Sequence, residues 1–298
     1  MFSFLKGGKA QINLTVDHSD QVYHPGETVH VRVNVIGEKD LKIQQGRVAL
    51  LYSEEYQYRH EEYETDSDGN RETVTQTDWK TDERQLGQTV FLPETTITAG
   101  SNQNFEFDFA IPPNSPPSAQ GNIIHIKWLV KATLDRKLAS DVEAKAEITV
   151  VNIPPGQQTG EGRYGNSSEP LEADLQLVLP SLEFVLGETI SGTLVVTPQK
   201  GFDVNEVRVT LVQRENVPEA EGNTHAAEQK IKLSPQVKLQ AGQQLSFPFN
   251  ITVPSGGSPS CQTPNGTIAW SLIGTLARRL RKDTNVEENV TVYSLRGK

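Results

Sequence analysis

The sequence predicts an all-β protein made of two tandem immunoglobulin-like antiparallel β-sandwiches. Three observations predict it: apolar residues alternate with polar ones, turn signals recur at short intervals, and the two halves of the 298-residue chain repeat one another.

Alternation is clearest in TVHVRVNV, where Val29, Val31, Val33 and Val35 are separated by polar residues, and in NEVRVTLV, with Val207, Val209 and Leu211. FEFDF, AEITV and NVTVY follow the same rule. β-Branched and aromatic residues at period two mark strands with one face buried. The turn signals are PGE, LGE, DG, AG, PPN and SGG, close enough together for short strands. LARRLRK is too short for an ordinary helix, and its counterpart LDRKLAS is a poor helix former.

The duplication ties these elements together. Residues 105–118, FEFDFAIPPNSPPS, return 142 residues later as FPFNITVPSGGSPS. At that offset Ala99-Gly100 meets Ala241-Gly242, Trp128 meets Trp270, Leu138 meets Leu280, and Asp141 meets Asp283 without a gap. HPGETVHVRVNV and VLGETISGTLVV match at an offset of 161, so the first half carries 19 extra residues between these anchors. Composition places the insert at about 54–84, which holds eleven acidic residues against Arg59, Arg71, Lys80 and Arg84. The alternatives for it are a long hairpin and a mobile partner-binding loop. Residues 153–170, IPPGQQTGEGRYGNSSEP, have a linker composition. The expected domains are therefore 9–152 and 171–298. Within the repeated phrase, Phe105, Phe107 and Phe109 should enter a core, the Ile-Pro step should end the strand, and PPNSPPS should form a stiff crossover.

Bulk properties narrow the function. Net charge is −10, which argues against nucleic acid as a partner, because phosphate binding needs a basic face. One cysteine, Cys261, allows no intrachain disulfide, and the expected compartment is the cytoplasm. MFSFLKGGKA lacks the apolar core of a signal peptide, and no apolar run is long enough to span a bilayer. The glycosylation-type triplets at Asn13, Asn166, Asn250, Asn265 and Asn289 read as chance matches, three of them inside expected strands.

These phrases resemble the arrestin superfamily. FEFDFAIPPNSPPS followed by IKWLVKATLDRKLASDVEAKAEITVV is similar to its N-domain, and the run Val130 to Arg136 looks most like the α-arrestins. The Phe-Pro-Phe strand and RKDTN (281–285) resemble its C-domain. MFSFLK and the turn at Tyr23–Glu27 resemble bacterial arrestin-like sporulation-control proteins. The resemblance implies two arrestin-type sandwiches and a non-catalytic scaffold or adaptor that binds a protein or peptide, with stress or sporulation control as a role. It also implies an interdomain position for Asp283. The arginine that would meet that aspartate in a phosphate sensor falls near Ala146 or Glu147, so the basic partner is missing.

Chemistry finds little purchase. Six histidines are scattered without HxxxH or HExxH spacing, and no GxSxG elbow or phosphate-cradling loop occurs. No enzyme, cofactor or metal is expected. Glu64, Asp66, Asp68, Gly69 and Glu72 partly imitate a calcium loop, but Thr75 stands where a bidentate Glu is needed, which favours a hairpin tip at Asp68-Gly69. Two features are left as sites. Tyr56, Tyr58, Tyr63 and Trp79, aromatic among charges, suit partner recognition. Arg278, Arg279, Arg281 and Lys282 form a basic cluster that would meet anionic lipid headgroups or the protein's own acidic insert, with a solvated loop as the plain alternative; Phe2, Phe4 and Leu5 would add apolar contacts at a membrane. A carbohydrate-binding sandwich is a third reading, against which stands the missing export signal.

Overall fold

A computed structural model describes residues 10–18, 20–65, 71–155, 162–165, 167–168 and 171–294. Its first half contains β1 (Ala10–Val16), β2 (Val22–Tyr23), β3 (Thr28–Gly37), β4 (Leu41–Ile43), β5 (Gln45–Thr65) and β6 (Arg71–Leu92). Then follow β7 (Thr95–Ile97), β8 (Asn102–Ala110), β9 (Ala119–Gln120), β10 (Ile124–Asp135) and β11 (Val142–Val150). The second half contains β12 (Gly162–Tyr164), β13 (Ala173–Leu179), β14 (Glu183–Val185), β15 (Thr189–Pro198), β16 (Phe202–Val204) and β17 (Glu206–Val217). It ends with β18 (Asn223–Ser234), β19 (Val237–Leu239), β20 (Leu245–Thr252), β21 (Cys261–Gln262), β22 (Thr267–Ala277) and β23 (Thr284–Tyr293). The described residues include no helix.

The duplication in the sequence is a duplication of topology. The order β1-β3-β8 in one sheet and β2-β11-β10-β5-β6 in another is repeated by β13-β15-β20 and β14-β23-β22-β17-β18. The small pairs β4-β7 and β16-β19 also correspond, as do β9 and β21 beside the long strands β10 and β22. Period two is obeyed where it was read: Val29, Val31, Val33 and Val35 on β3 are each at most 1 % exposed. In the second half Leu175, Leu177, Leu194, Val209, Leu211 and Leu272 share one core.

The repeated phrase does the mechanical work expected of it. Strands β8 and β20 stop just before Ile111-Pro112 and Val253-Pro254, since proline gives the ladder no donor. Phe109 is buried, and Phe105 and Phe107 lie half-buried against Phe91 of β6, with ring centroids 4.8 and 5.8 Å away. Each crossover is then fixed twice. The Trp128 indole donates to the Pro116 carbonyl at 3.0 Å, and Trp270 donates to Ser258 at 2.9 Å. Ser118 and Ser260 donate their backbone N–H to the Val150 and Val292 carbonyls, each at 2.7 Å. Their hydroxyls accept the N–H of the same two valines. A serine thus imitates one rung of a strand in both halves.

One feature departs from the sequence reading, and one settles an alternative it left open. The segment 153–170 contributes β12, which pairs antiparallel with β13 and packs Tyr164 against the second core. The acidic insert is part of a long hairpin: β5 and β6 are hydrogen-bonded neighbours of 21 and 22 residues. The expected tip at Asp68-Gly69, with residues 66–70 of the calcium-like loop, lies outside the described residues. The chain divides into two compact units, one of residues 1–56, 79–119 and 125–151, the other of 57–78, 120–124 and 152–298. The distal hairpin therefore groups with the second unit although it belongs to the first half of the sequence.

Candidate functional site

In the first unit the sheet order ends at β6, so among the described residues one side of its backbone has no strand beside it. An edge of this kind presents free N–H and C=O groups to an incoming chain, and proteins commonly protect it with charge. The β6 segment 79–92 does so unevenly. Lys80, Asp82, Glu83 and Arg84 crowd its first part, whereas Gln85–Leu92, QLGQTVFL, has no charge at all. Within that window Leu86 and Val90 are 38 % and 51 % exposed. Phe91 turns inward onto β8, and a Cβ on Gly87 would come within 3.0 Å of Phe109. The window is thus anchored on its inner side and open along its outer edge.

The aromatic residues singled out in the insert do not form one surface. Trp79 is 43 % exposed and stacks on His125 of β10 at 4.9 Å, while Nδ1 of His125 lies 3.3 Å from a carboxylate oxygen of Glu55. That stack stands just ahead of the charged stretch of β6. Tyr56 differs from the expectation, being fully buried. Its hydroxyl donates to Asp82 at 3.3 Å, and the Lys80 ammonium lies 5.8 Å from its ring centre. Period two placed it on the inner face of β5, where a ring is core and not a contact for a partner. Tyr58, in the second unit, is half-buried and stacks on His60 at 5.3 Å, with His60 facing Glu62 and Asp78. Tyr63 alone stands clear, 77 % exposed.

The basic cluster also separates into parts. The side chain of Arg278 is 7 % exposed, forms an ion pair with Glu172, and lies over the Phe202 ring at 4.6 Å. Burial lowers its pKa, with the nearby Arg281 charge adding to the effect. Arg278 is therefore a fastener of the second sandwich and not a surface cation. Arg279, Arg281 and Lys282 are exposed, with no acidic partner among the described residues. Asp283, read as an interdomain residue, spends both oxygens inside the second unit. One accepts the Arg278 N–H at 2.9 Å and the other meets the Arg208 guanidinium at 3.2 Å. Its repeat counterpart Asp141 accepts the Arg136 N–H at 2.8 Å, so both aspartates close the same turn.

Sequence reasoning missed two things. Leu138 and Leu280 are each 97 % exposed with φ of 59° and 61°. The available signal was a lone apolar residue among basic ones, at one repeat position in both halves. Glu215 reads as a solvent-facing acid between Arg214 and Asn216, yet it is 1 % exposed. It accepts hydrogen bonds from the backbone N–H groups of Asn122, Ile123 and Ile124 and from the side chains of Asn122 and Gln213. Nothing local in the sequence marks it.

Comparison with known families accounts for both halves. Residues 12–154 match the N-terminal domain of arrestin (or S-antigen), and residues 170–292 match its C-terminal domain. No curated protein sequence matches the chain.

Proposed function

We propose, because this chain belongs to the arrestin family, that it is a non-catalytic adaptor whose specific act is to add an extended partner segment to the free edge of β6. Arrestin-family proteins are typically adaptors that bind protein partners. The observation that carries the finer reading is the uncharged window Gln85–Leu92 on an unpaired edge, with Leu86 and Val90 exposed beside it. Main-chain hydrogen bonds would supply the affinity, and alternate side chains meeting Leu86 and Val90 would supply the selectivity. Strand β18, the corresponding edge in the second unit, carries Glu228, Lys230 and Lys232 and is protected in the ordinary way.

Domains at 9–152 and 171–298, a cytoplasmic setting, and a role in stress or sporulation control complete the proposal; the last two rest on the single cysteine, Cys261, and on the MFSFLK and Tyr23–Glu27 resemblance. No described helix is long and apolar enough to cross a membrane. A second reading, attachment to an anionic lipid surface through the 278–282 cluster, is favoured by the exposure of Arg279, Arg281 and Lys282.

The test is site-specific photocrosslinking in the source cell with the reactive group at Gln88 or Thr89, followed by mapping of the captured segment. The expected outcome is one extended partner segment, captured from β6 and lost when Leu86 and Val90 are both replaced by Lys. Equal capture by that folded variant, or capture only from equivalent positions on β18, would refute the edge reading.

A further inference from the structure

The hairpins β10–β11 and β22–β23 end in equivalent turns, and each turn lifts one leucine almost wholly into water. Leu138 and Leu280 are both 97 % exposed, and both hold a left-handed backbone, φ 59° and 61°. A leucine at such an angle is strained in a way that glycine would relieve, and its exposure wastes an apolar side chain. Single exposed leucines need no explanation; a strained one, repeated at the same place in two sandwiches, does.

The second turn is the better equipped. Its base is held by Asp283, which accepts the Arg278 N–H at 2.9 Å, by Asn205, which accepts the Arg279 N–H at 2.7 Å, and by the buried Arg278–Glu172 pair. On that rigid base Leu280 stands between Arg279 on one side and Arg281 and Lys282 on the other, all three exposed and without an acidic partner among the described residues. The first turn is poorer in charge, because Arg136 turns its guanidinium back to the Ser140 carbonyl at 3.0 Å and leaves Lys137.

We infer that the 279–282 turn is an insertion tip for an anionic lipid bilayer, with Leu280 entering the interface and the three cations seated at headgroup level. The inference rests on the second reading above and adds the apolar element to it. An apolar tip ringed by cations matches a surface that is anionic outside and hydrocarbon beneath. A free phosphate or a phosphorylated peptide would use the cations but give the leucine nothing. The whole chain carries a net charge of −10, so only a local basic patch can bring it to such a surface, and salt should weaken the attachment.

The test uses the full chain and sedimentation with phosphatidylcholine vesicles, with and without phosphatidylglycerol. Leu280→Gly suits the backbone angle, so it should unfold at the same temperature as the parent or higher. Its partition onto the anionic vesicles should fall about fivefold, the share expected of one leucine partly withdrawn from water. Leu280→Phe should bind at least as well as the parent. Replacing Arg281 and Lys282 by Glu should abolish measurable binding, since each cation near an anionic surface is worth a factor of about five and reversal adds repulsion. If Leu280→Gly binds as the parent does while the charge reversal does not, attachment is electrostatic alone; the second reading then stands and the insertion tip falls. Absence of binding to phosphatidylglycerol vesicles at low salt would remove both. A lower unfolding temperature for Leu280→Gly would contradict the strain from which the inference starts.

Discussion

Replacing Glu215 by Ala should destabilise the second unit and release one short turn. The carboxylate is 1 % exposed and is satisfied by five donors, three of them consecutive backbone amides at 2.8, 2.8 and 3.1 Å. These donors do not lose equally. Asn122 borders a cavity of about 280 Å³ that Gln213 and Trp270 also line, so water can reach its amides once the carboxylate has gone. Ile123 and Ile124 are 5 % and 0 % exposed, and their N–H groups would be left unpaired and dry. An orphaned buried donor costs roughly 1–3 kcal/mol, which puts the gross loss near 4 kcal/mol for the pair. The variant no longer buries a charge, which returns part of that cost. A net loss of about 2–3 kcal/mol follows, read as a lower urea midpoint with an unchanged slope. Glu215→Gln should lose less, because one oxygen still accepts while the new amide faces donors. Hydrogen exchange localises the effect: the amides of 122–124 should exchange faster, and those of β3 should not change. A loss under about 0.5 kcal/mol, together with unchanged exchange at 122–124, would refute the reasoning, because surface substitutions alone produce shifts of that size.

Two further outcomes are expected. Trp128→Phe and Trp270→Phe each remove a donor from a crossover carbonyl, at 3.0 and 2.9 Å, and should cost similar amounts, about 1–3 kcal/mol in urea unfolding; a loss confined to one of them would deny that the crossovers are equivalent. His30 should titrate above its ordinary pKa of 6.5, because its ring is hydrogen-bonded to Asp108 at 2.6 Å, with burial opposing slightly and the Asp17 charge adding. The stabilisation it gives is complete below the unfolded value and fades as pH rises through the folded one. Asp108→Asn should return the NMR titration to the ordinary range, and an unshifted His30 in the parent protein would show that the pair does not form in solution.

Much of the architecture could be read from the residues. Alternation at Val29 to Val35 and at Val207 to Leu211 specified strands with one buried face, and the 142-residue offset specified that whatever one half builds the other builds too. The offset even located the turn aspartates, since Asp141 and Asp283 make the same bond to the backbone five residues earlier. What stayed hidden depends on long-range neighbours. Whether β6 has a strand on its outer side is decided by sheet order, which no local period encodes. Arg278 looks like its neighbours until Glu172 and Phe202, far away in the chain, close over it. Tyr56 and Tyr63 each follow a Glu-Glu pair in the sequence, yet one is fully buried and the other 77 % exposed. Backbone angle is hidden as well: a leucine at φ of 61° is a choice against local preference, and tertiary fastening on both sides imposes it.

The most direct test of edge addition is amide hydrogen exchange of the intact protein, alone and saturated with the peptide captured by photocrosslinking. The outer amides of Gln85–Leu92 should exchange quickly in the free protein, and every second one should become protected on binding, because alternate residues of an edge strand point their N–H outward. Protection that appears instead on β18 or on the 278–283 turn, with Gln85–Leu92 unchanged, would contradict the account.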